Sequence, residues 1–152
     1  MRDVRIQIED PASLKARELI EKLDGYLAGL YPAESNHLLP VDALRQPSVT
    51  FLTASVDGAV AGCGAFVNQD GEYAEIKRMF VLPEFRGLKL GRRILGELEK
   101  LARASGLELA RLETGVNQPE ALLLFEKAGY HHRGPFGDYS EDPLSIFMEK
   151  KL

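Results

Sequence analysis

The chain has 152 residues, of which 45% are hydrophobic and 28% charged, and its formal net charge is −4. We expect residues 1–152 to form one globular domain, since this length and composition allow a substantial core. An acidic chain is poorly suited to nucleic acids, because neutralising phosphates requires a basic surface. The sequence has no apolar run of membrane-span length and no signal-peptide core, so we expect no membrane contact. One cysteine cannot form an internal disulfide, which makes the reducing cytoplasm the expected location.

The first half of the chain predicts a strand, two helices and then three strands. Apolar and polar residues alternate over residues 4–8, as in a half-buried strand. Asp10 and Pro11 predict the start of a helix, because an acidic cap followed by proline is typical there. A short helix is expected over 40–45. Residues 49–82 are rich in β-branched and aromatic residues and contain two Asp-Gly turns, which indicates antiparallel hairpins.

The second half alternates helices with strands. Its predicted elements are a helix from residue 90, a strand over 107–113, a helix over 119–128, and strands from residue 130 and over 145–150. The strand over 107–113 follows a helical crossover, so we expect it to run parallel to the strand over 73–82. The order is then β-α-α-β-β-β-α-β-α-β-β, an α/β (α+β) fold. It has a mixed, mostly antiparallel sheet of about seven strands flanked by about four helices.

Residues 83–91 join a strand to a helix through a short basic turn. Such a turn aims unpaired backbone amides and the positive end of the helix dipole at its occupant, and phosphate is the commonest occupant. Cations crowd the turn and the first helical turn, at Arg86, Lys89, Arg92 and Arg93. Each opposes the dipole by up to about 1 kcal/mol, a cost that a bound polyanion would offset. The turn alone leaves an ordinary strand–helix connection open, and it matches no nucleotide P-loop.

The same turn resembles the acyl-CoA-binding motif of the GNAT superfamily of N-acetyltransferases. That motif is Arg/Gln-x-x-Gly-x-Gly/Ala after a strand that ends in Val-x-Pro. Val81, Pro83, Arg86 and Gly91 match it, whereas Lys89 stands where the middle glycine is usual. This departure is tolerable if the turn needs only the amide of residue 89, and unfavourable if φ must be positive there.

A second segment resembles the family pattern Asn…Ala-x-x-x-Tyr-x-Lys-x-Gly-Phe/Tyr. It runs from Asn117 to Tyr130, and Phe125 replaces the tyrosine that often serves as general acid. Asn117 lies one residue further from Ala121 than is usual, which leaves open whether Asn117 or Gln118 contacts the cofactor. A subset of small bacterial acetyltransferases is similar in further stretches, including Glu-Thr-Gly and Pro-Phe-x-Asp-Tyr.

The resemblance implies a GNAT fold that uses acetyl-CoA as cosubstrate and transfers its acetyl group directly to an amine. A main-chain amide at Phe80 or Val81 is suited to polarise the thioester carbonyl. The implied cofactor contacts are Met79, Phe80, Val81, Arg86, Gly87, Leu88, Lys89, Leu90, Gly91, Arg92, Asn117 and Phe125.

Glu75 is the first candidate for the general base, which an amine that is protonated at neutral pH requires. It begins the central strand in an Ala-Glu-Ile context where some family members place their base. The alternative is a structural glutamate paired with Lys77 or an arginine, and Glu113 is the second choice of base. Tyr139, in the long loop near the end of the chain, is the candidate general acid, with a packing role as the alternative.

Two stretches are expected to form the acceptor pocket, residues 25–45 and 134–142. The resemblance implies that Glu34 or His37 touches the acceptor, whereas composition alone favours a solvated connector. Arg78 is a candidate partner for an acceptor carboxylate. No metal site is expected, because the two adjacent histidines point to opposite faces of a strand.

We therefore expect an acetyl-CoA-dependent N-acetyltransferase that acts on the primary amine of a small molecule or an amino-acid-like acceptor. Two alternatives stay open. One is a non-catalytic sensor of acyl-CoA, which Phe125 favours, and the other is an acetyltransferase of protein lysines or N-termini. The acidic charge suits cationic amines better than RNA. The acceptor's identity and the existence of a homodimer are not decided by the sequence.

Overall fold

The computed structural model describes residues 2–32 and 40–152 and confirms the predicted order of elements. In this part of the chain the strands are β1 (Val4–Ile8), β2 (Val49–Val56), β3 (Ala59–Gln69), β4 (Tyr73–Val81), β5 (Leu109–Gly115), β6 (His131–Arg133) and β7 (Ser145–Lys151). The helices are α1 (Leu14–Leu30), α2 (Val41–Leu44), α3 (Leu90–Ala104) and α4 (Pro119–Lys127), and a short 3₁₀ turn (Pro83–Phe85) follows β4.

All seven strands form one mixed sheet in the order β1-β2-β3-β4-β5-β7-β6. Only β4 and β5 are parallel, as their helical crossover predicted, and the other neighbours are antiparallel. The parallel pairing joins Ala74–Ile76 of β4 to Ala110–Leu112 of β5 and ends there. Both strands continue beyond it without pairing to each other. The sheet therefore opens between β4 and β5.

Helices cover both faces of the sheet and bury a core on each. On one face, α3 and α4 pack over a cluster that includes Ile76, Leu112 and Met148. On the other, α1 and α2 pack over a cluster that includes Phe51 and Cys63. Burial of these apolar side chains is the main force that holds the helices on the sheet.

Two glycines of β3 let α3 approach the sheet closely. A Cβ atom at Gly64 would lie 2.7 Å from both the Cγ2 atom of Ile94 and the Sδ atom of Met79. A Cβ atom at Gly62 would lie 2.7 Å from the carbonyl oxygen of Phe80. Side chains at these positions would push α3 and β4 away from β3.

The start of α1 differs from the expectation that Asp10 and Pro11 begin it. The helix begins at Leu14, and the Oγ atom of Ser13 accepts a hydrogen bond from the Ala16 amide at 3.2 Å. Asp10 instead accepts from the Ala12 amide at 2.9 Å and closes the turn before the helix. Aspartate and serine both cap helices. Ser13 is the cap here, because Asp10 and Pro11 form the turn that precedes the helix. Among the described residues, no helix is both long enough and apolar enough to cross a bilayer.

Candidate active site

A cavity lies where β4 and β5 separate. Its walls are residues 76–79 of β4 and 112–115 of β5, with side chains from α1, from α4 and from the loop before β7. Because both strands leave their facing edges unpaired there, the cavity borders backbone groups as well as side chains. A slot of this kind between strands can hold an extended ligand along the backbone.

A β-bulge shapes β4 at the cavity. Cys63 pairs with Phe80 and Ala65 pairs with Lys77, so Arg78 and Met79 of β4 together oppose the single residue Gly64. Arg78 has a φ of 58°, a left-handed conformation that costs a non-glycine residue about 1–2 kcal/mol. Strain of this kind persists where the surrounding structure imposes it, and it is concentrated at functional sites.

Beyond the bulge, one β4 amide faces the opening. The Leu82 amide donates to the carbonyl oxygen of Ala61 on β3 at 2.8 Å. Amides alternate in direction along a strand, so the Phe80 amide also faces β3 and the Val81 amide faces the unpaired edge. Of the two amides that the sequence left open for polarising a carbonyl, the geometry favours Val81.

The turn from Arg86 to Gly91 presents a row of backbone amides. Among residues 2–32 and 40–152, the amides of residues 87–92 have no hydrogen-bond acceptor. Gly87 has a φ of 90° and Lys89 a φ of 60°, so the position of the usual middle glycine does need positive φ. Lys89 therefore supplies at a cost the conformation that glycine would adopt freely. The turn aims its amides outward at the start of α3, as an anion site requires.

The cations of this turn are exposed. Arg86, Lys89, Arg92 and Arg93 form no ion pair within the part of the chain that the structure describes. Leu90 is buried, so only its backbone can reach a ligand in the turn, whereas Leu88 is half-buried. Gly91 lets α3 pack on α4, because a Cβ atom there would lie 3.2 Å from Leu124. Charge and open amides thus coincide at one end of the β4–β5 opening.

On the α1 face of the sheet, Glu75 lies at the centre of a hydrogen-bond network. The residue is 4% exposed, and its Oε2 atom accepts a hydrogen bond from the Tyr139 hydroxyl at 2.6 Å. Its Oε1 atom accepts a hydrogen bond from the side-chain amide (Nε2) of Gln69 at 3.0 Å. The Lys77 ammonium lies 3.4 Å from Oε2 and donates to the Tyr139 oxygen at 2.9 Å. The structure thus brings together the two predicted catalytic residues, and it also contains the Glu75–Lys77 pair that was the structural alternative.

Tyr139 has a packing role as well as this contact. Its ring packs against Phe136 and Phe147, with centroids 5.2 and 5.5 Å away. Burial, and then the nearby Glu75 carboxylate, raise the pKa of the Tyr139 hydroxyl, so it keeps its proton at neutral pH. Tyr139 lines the cavity, whereas Glu75 lies behind it.

Charged side chains of both signs reach the same cavity. Arg78, with a side chain only 3% exposed, forms an ion pair with Asp24 of α1, whose side chain is 44% exposed. Glu113 accepts a hydrogen bond from the Ser145 hydroxyl at 2.8 Å and lines the cavity with Arg78 and Lys77. The predicted acceptor contacts Glu34 and His37 lie outside the described residues.

The comparisons with known proteins agree with one another. The profile of the acetyltransferase (GNAT) family matches residues 15–130. The chain belongs to the GNAT family. An IAA acetyltransferase of Azospirillum brasilense is 51% identical over 153 residues, which cover 100% of both chains. The chain is therefore an acetyltransferase by family, and the element order expected from the resemblance is the order observed.

Solved structures share the whole fold. A crystal structure from Klebsiella pneumoniae, provisionally named an acyl-CoA N-acyltransferase, is 35% identical with a TM-score of 0.83 and covers 98% of this chain and 97% of its own. The PaiA N-acetyltransferase of Thermoplasma acidophilum was solved in complex with coenzyme A. It is 19% identical with a TM-score of 0.73, over 99% of this chain and 98% of its own, and shows the common fold alone.

The α4 side of this GNAT site lacks the usual tyrosine. Phe125 is buried and lines the cavity without a hydroxyl. Asn117 is occupied with the end of α1, since its side-chain amide donates to the Leu30 carbonyl at 3.3 Å. Gln118, rather than Asn117, lines the cavity, and its Oε1 atom accepts from the Tyr31 hydroxyl at 3.2 Å. The geometry therefore favours Gln118 as the residue beside a ligand.

Tyr31 is a residue of the cavity wall that the sequence analysis did not single out. Its hydroxyl also accepts a hydrogen bond from the backbone N–H of Asn117 at 3.0 Å. The Tyr31 ring lies against Gly115, where an added Cβ atom would be only 1.8 Å from the Tyr31 oxygen. Tyr31 follows Leu27 by four residues and so continues the apolar stripe of α1, a signal that was present in the sequence.

Within residues 2–32 and 40–152, no group of three His, Cys, Asp or Glu side chains is placed so that it could hold a metal ion.

Proposed function

We propose that this protein transfers the acetyl group of acetyl-CoA to the primary amine of a small, amino-acid-like molecule. The observation that carries the proposal is the row of amides at residues 87–92, which lack acceptors in the described chain and open beside unpaired cations. The distant relative PaiA was solved with coenzyme A, which supports the same carrier here. When bound, acetyl-CoA supplies an activated acetyl group as a thioester.

The turn is suited to the diphosphate of this carrier. Backbone amides at the start of a helix bind phosphate oxygens, and the helix dipole adds to the attraction. Arg86, Lys89 and Arg92 would offset the remaining negative charge, which explains why they stand where they oppose the dipole. Phe125 of α4 and Met79 of β4 both line the cavity and offer the ligand an apolar contact.

The Val81 amide is the proposed contact for the thioester oxygen. It faces the unpaired edge of β4, and a preorganised donor gains most where negative charge develops during reaction. The bulge at Arg78 and Met79 fixes this orientation. Its extra residue shifts the alternating direction of the β4 amides by one position just before Phe80.

Glu75 and Tyr139 are the proposed catalytic pair. An amine arrives mostly protonated at neutral pH and must lose a proton before attack, and we assign that proton to Glu75. Gln69 holds the carboxylate by its other oxygen, which fixes its orientation. Tyr139, which keeps its proton, is the proposed donor to the departing thiolate in the absence of a tyrosine at position 125.

The charges of the cavity support an acceptor that carries charges of both signs. Glu113 suits an ammonium group, and Arg78 with Lys77 suits a carboxylate or similar anion. Arg78 would turn from Asp24 to the acceptor, and Asp24 can return to water because it is partly exposed. Glu34 and His37 stay predicted acceptor contacts. The relative from Azospirillum is named for IAA, so IAA belongs among the acceptors to test.

Thermal unfolding with and without CoA tests cofactor binding. A ligand at a concentration of 100 Kd stabilises the folded state by about 2.7 kcal/mol, so millimolar CoA should raise the melting temperature clearly. Arg86→Ala and Arg92→Ala should weaken this effect. Arg103→Ala, which removes an exposed arginine at the far end of α3, should leave it unchanged. A melting temperature that millimolar CoA does not move would contradict the proposal.

Thiol release from acetyl-CoA tests the reaction and its acceptor. The panel should hold small amines, amino acids, IAA and a lysine-containing peptide. We expect release with amino-acid-like amines. CoA binding with no release on any acceptor would favour the sensor alternative, and release with the peptide alone would favour a protein acetyltransferase.

A further inference from the structure

Tyr31 joins the end of α1 to the start of α4. Its hydroxyl accepts a hydrogen bond from the backbone N–H of Asn117 at 3.0 Å and donates one to Oε1 of Gln118 at 3.2 Å. The Asn117 side chain makes a second connection, since it donates to the Leu30 carbonyl at 3.3 Å. The Tyr31 ring is buried and fills the space that a side chain at position 115 would need. The glycine there is what lets the ring reach α4.

The two bonds of the Tyr31 hydroxyl fix which way the Gln118 amide faces. A backbone N–H can only donate, so the contact from Asn117 leaves the single hydroxyl hydrogen for another acceptor. That acceptor is the side-chain oxygen of Gln118, and the side-chain nitrogen is therefore turned away from Tyr31. Within residues 2–32 and 40–152 this nitrogen, which has two N–H donors, has no acceptor. Because Gln118 lines the cavity, its nitrogen is available to a ligand there.

The backbone of Gln118 is held as well as its side chain. Its N–H donates to the Gly115 carbonyl at 3.1 Å, and its carbonyl accepts from the Leu122 amide at 3.1 Å in the first turn of α4. The side chain makes no capping hydrogen bond to the helix. A donor that is already held in place loses little conformational freedom when it meets a ligand.

Gln118 lies at the edge of the sheet that also carries the turn from Arg86 to Gly91. The strands β4 and β5 are parallel, so their carboxyl ends lie at the same edge; the turn follows β4 and Gln118 follows β5. The helices α3 and α4 meet at this edge, where a Cβ atom at Gly91 would lie 3.2 Å from Leu124. A ligand that extends from the turn into the cavity therefore passes the start of α4.

We propose that Tyr31 is a positioning residue for the carrier, and that it holds Gln118 so that the side-chain nitrogen donates to a carbonyl oxygen in the arm of acetyl-CoA. This inference rests on the proposed function. The arm joins the diphosphate to the thioester and contains amide groups, whose carbonyls accept hydrogen bonds. The cavity wall around Gln118 is otherwise apolar at Leu112, Ala121 and Phe125. A carbonyl that faced only these side chains would lose its hydrogen bonds to water without replacement.

The test compares the affinities for CoA, which has the arm, and for ADP, which has the diphosphate without it, by isothermal titration. Tyr31→Phe and Gln118→Leu should each weaken CoA binding by about 3- to 10-fold, the usual contribution of one hydrogen bond, and leave ADP binding unchanged. The double variant should bind CoA no more weakly than Gln118→Leu alone, because Tyr31 acts through Gln118. Arg86→Ala should weaken both ligands. In steady-state kinetics, the KM for acetyl-CoA should rise by the same factor in Tyr31→Phe while kcat is kept.

Tyr26→Phe is the matched control, because it removes a hydroxyl from the same helix. Its ring lies beside Phe80, with centroids 6.3 Å apart, and it does not line the cavity. It should bind CoA as the wild type does.

A Tyr31 that only holds α1 against α4 would give a different result. Its phenylalanine variant would then melt at a lower temperature and either keep the affinity for CoA or lose affinity for CoA and ADP alike, and both outcomes would refute the inference. Losses that multiply in the double variant would also refute it. A wild-type protein that does not bind CoA would refute the proposed function instead.

Discussion

Lys89 offers a direct measurement of the backbone strain in the turn from Arg86 to Gly91. It has φ 60° and ψ 28°, a left-handed conformation that costs an L-residue about 1–2 kcal/mol. Glycine avoids that cost, but its greater freedom in the unfolded chain gives back about 0.5–1 kcal/mol. Lys89→Gly and Lys89→Ala both remove the charge that opposes the α3 dipole, so the difference between them isolates the Cβ atom. We expect the glycine variant to be more stable than the alanine variant by about 0.5–1 kcal/mol.

Urea unfolding and thermal melts measure this difference. For a chain of this size the melting temperatures should differ by about 1–4 °C. CoA affinity should fall equally in both variants, because each loses the same cation and keeps the same amide. If the alanine variant were as stable as the glycine variant or more stable, the left-handed conformation at Lys89 would be wrong, and the argument for an outward row of amides would fail with it.

Two further predictions concern the packing of glycines and an ion pair of the sheet. Gly62→Ala should destabilise the protein by about 1–3 kcal/mol, because its Cβ atom would lie 2.7 Å from the Phe80 carbonyl oxygen. Gly96→Ala, in α3 with nothing within 4 Å of the added atom, should instead stabilise it by about 0.5–1 kcal/mol, and the opposite order in chemical denaturation would contradict the packing described. The hydrogen bond from Arg111 lowers the pKa of Glu149 below its ordinary 4.5, so the stability it contributes is present above that value and is lost as the pH falls through the lower folded pKa. Glu149→Gln should therefore flatten the acid side of the plot of unfolding free energy against pH, and superimposable plots would show that the ion pair contributes nothing.

Much of the fold could be predicted from local patterns. Alternation, Asp-Gly turns and the helical stripe after Leu90 each report on neighbouring residues, and they were enough for the order of elements and for the parallel pair. The basic turn was equally visible, because its glycines, cations and helix start are consecutive in the chain. The start of α1 was missed, since two capping residues compete within four positions and local pattern does not choose between them.

The contacts of the site were not visible in the same way. Tyr139 and Glu75 are 64 residues apart, Arg78 and Asp24 are 54 apart, and Tyr31 and Gln118 are 87 apart. The sequence suggested Glu75 and Tyr139 separately, as a base and an acid, and contained no sign that one covers the other.

By itself, then, the sequence determined which segments become strands and helices and that a basic turn precedes a helix start, because backbone preference and side-chain periodicity act over a few residues. Only the tertiary structure decided which Glu75 oxygen faces Tyr139, which β4 amide faces the opening, and that Tyr31 borders the cavity. Those outcomes depend on how distant elements pack, and packing is a property of the whole core rather than of any one segment.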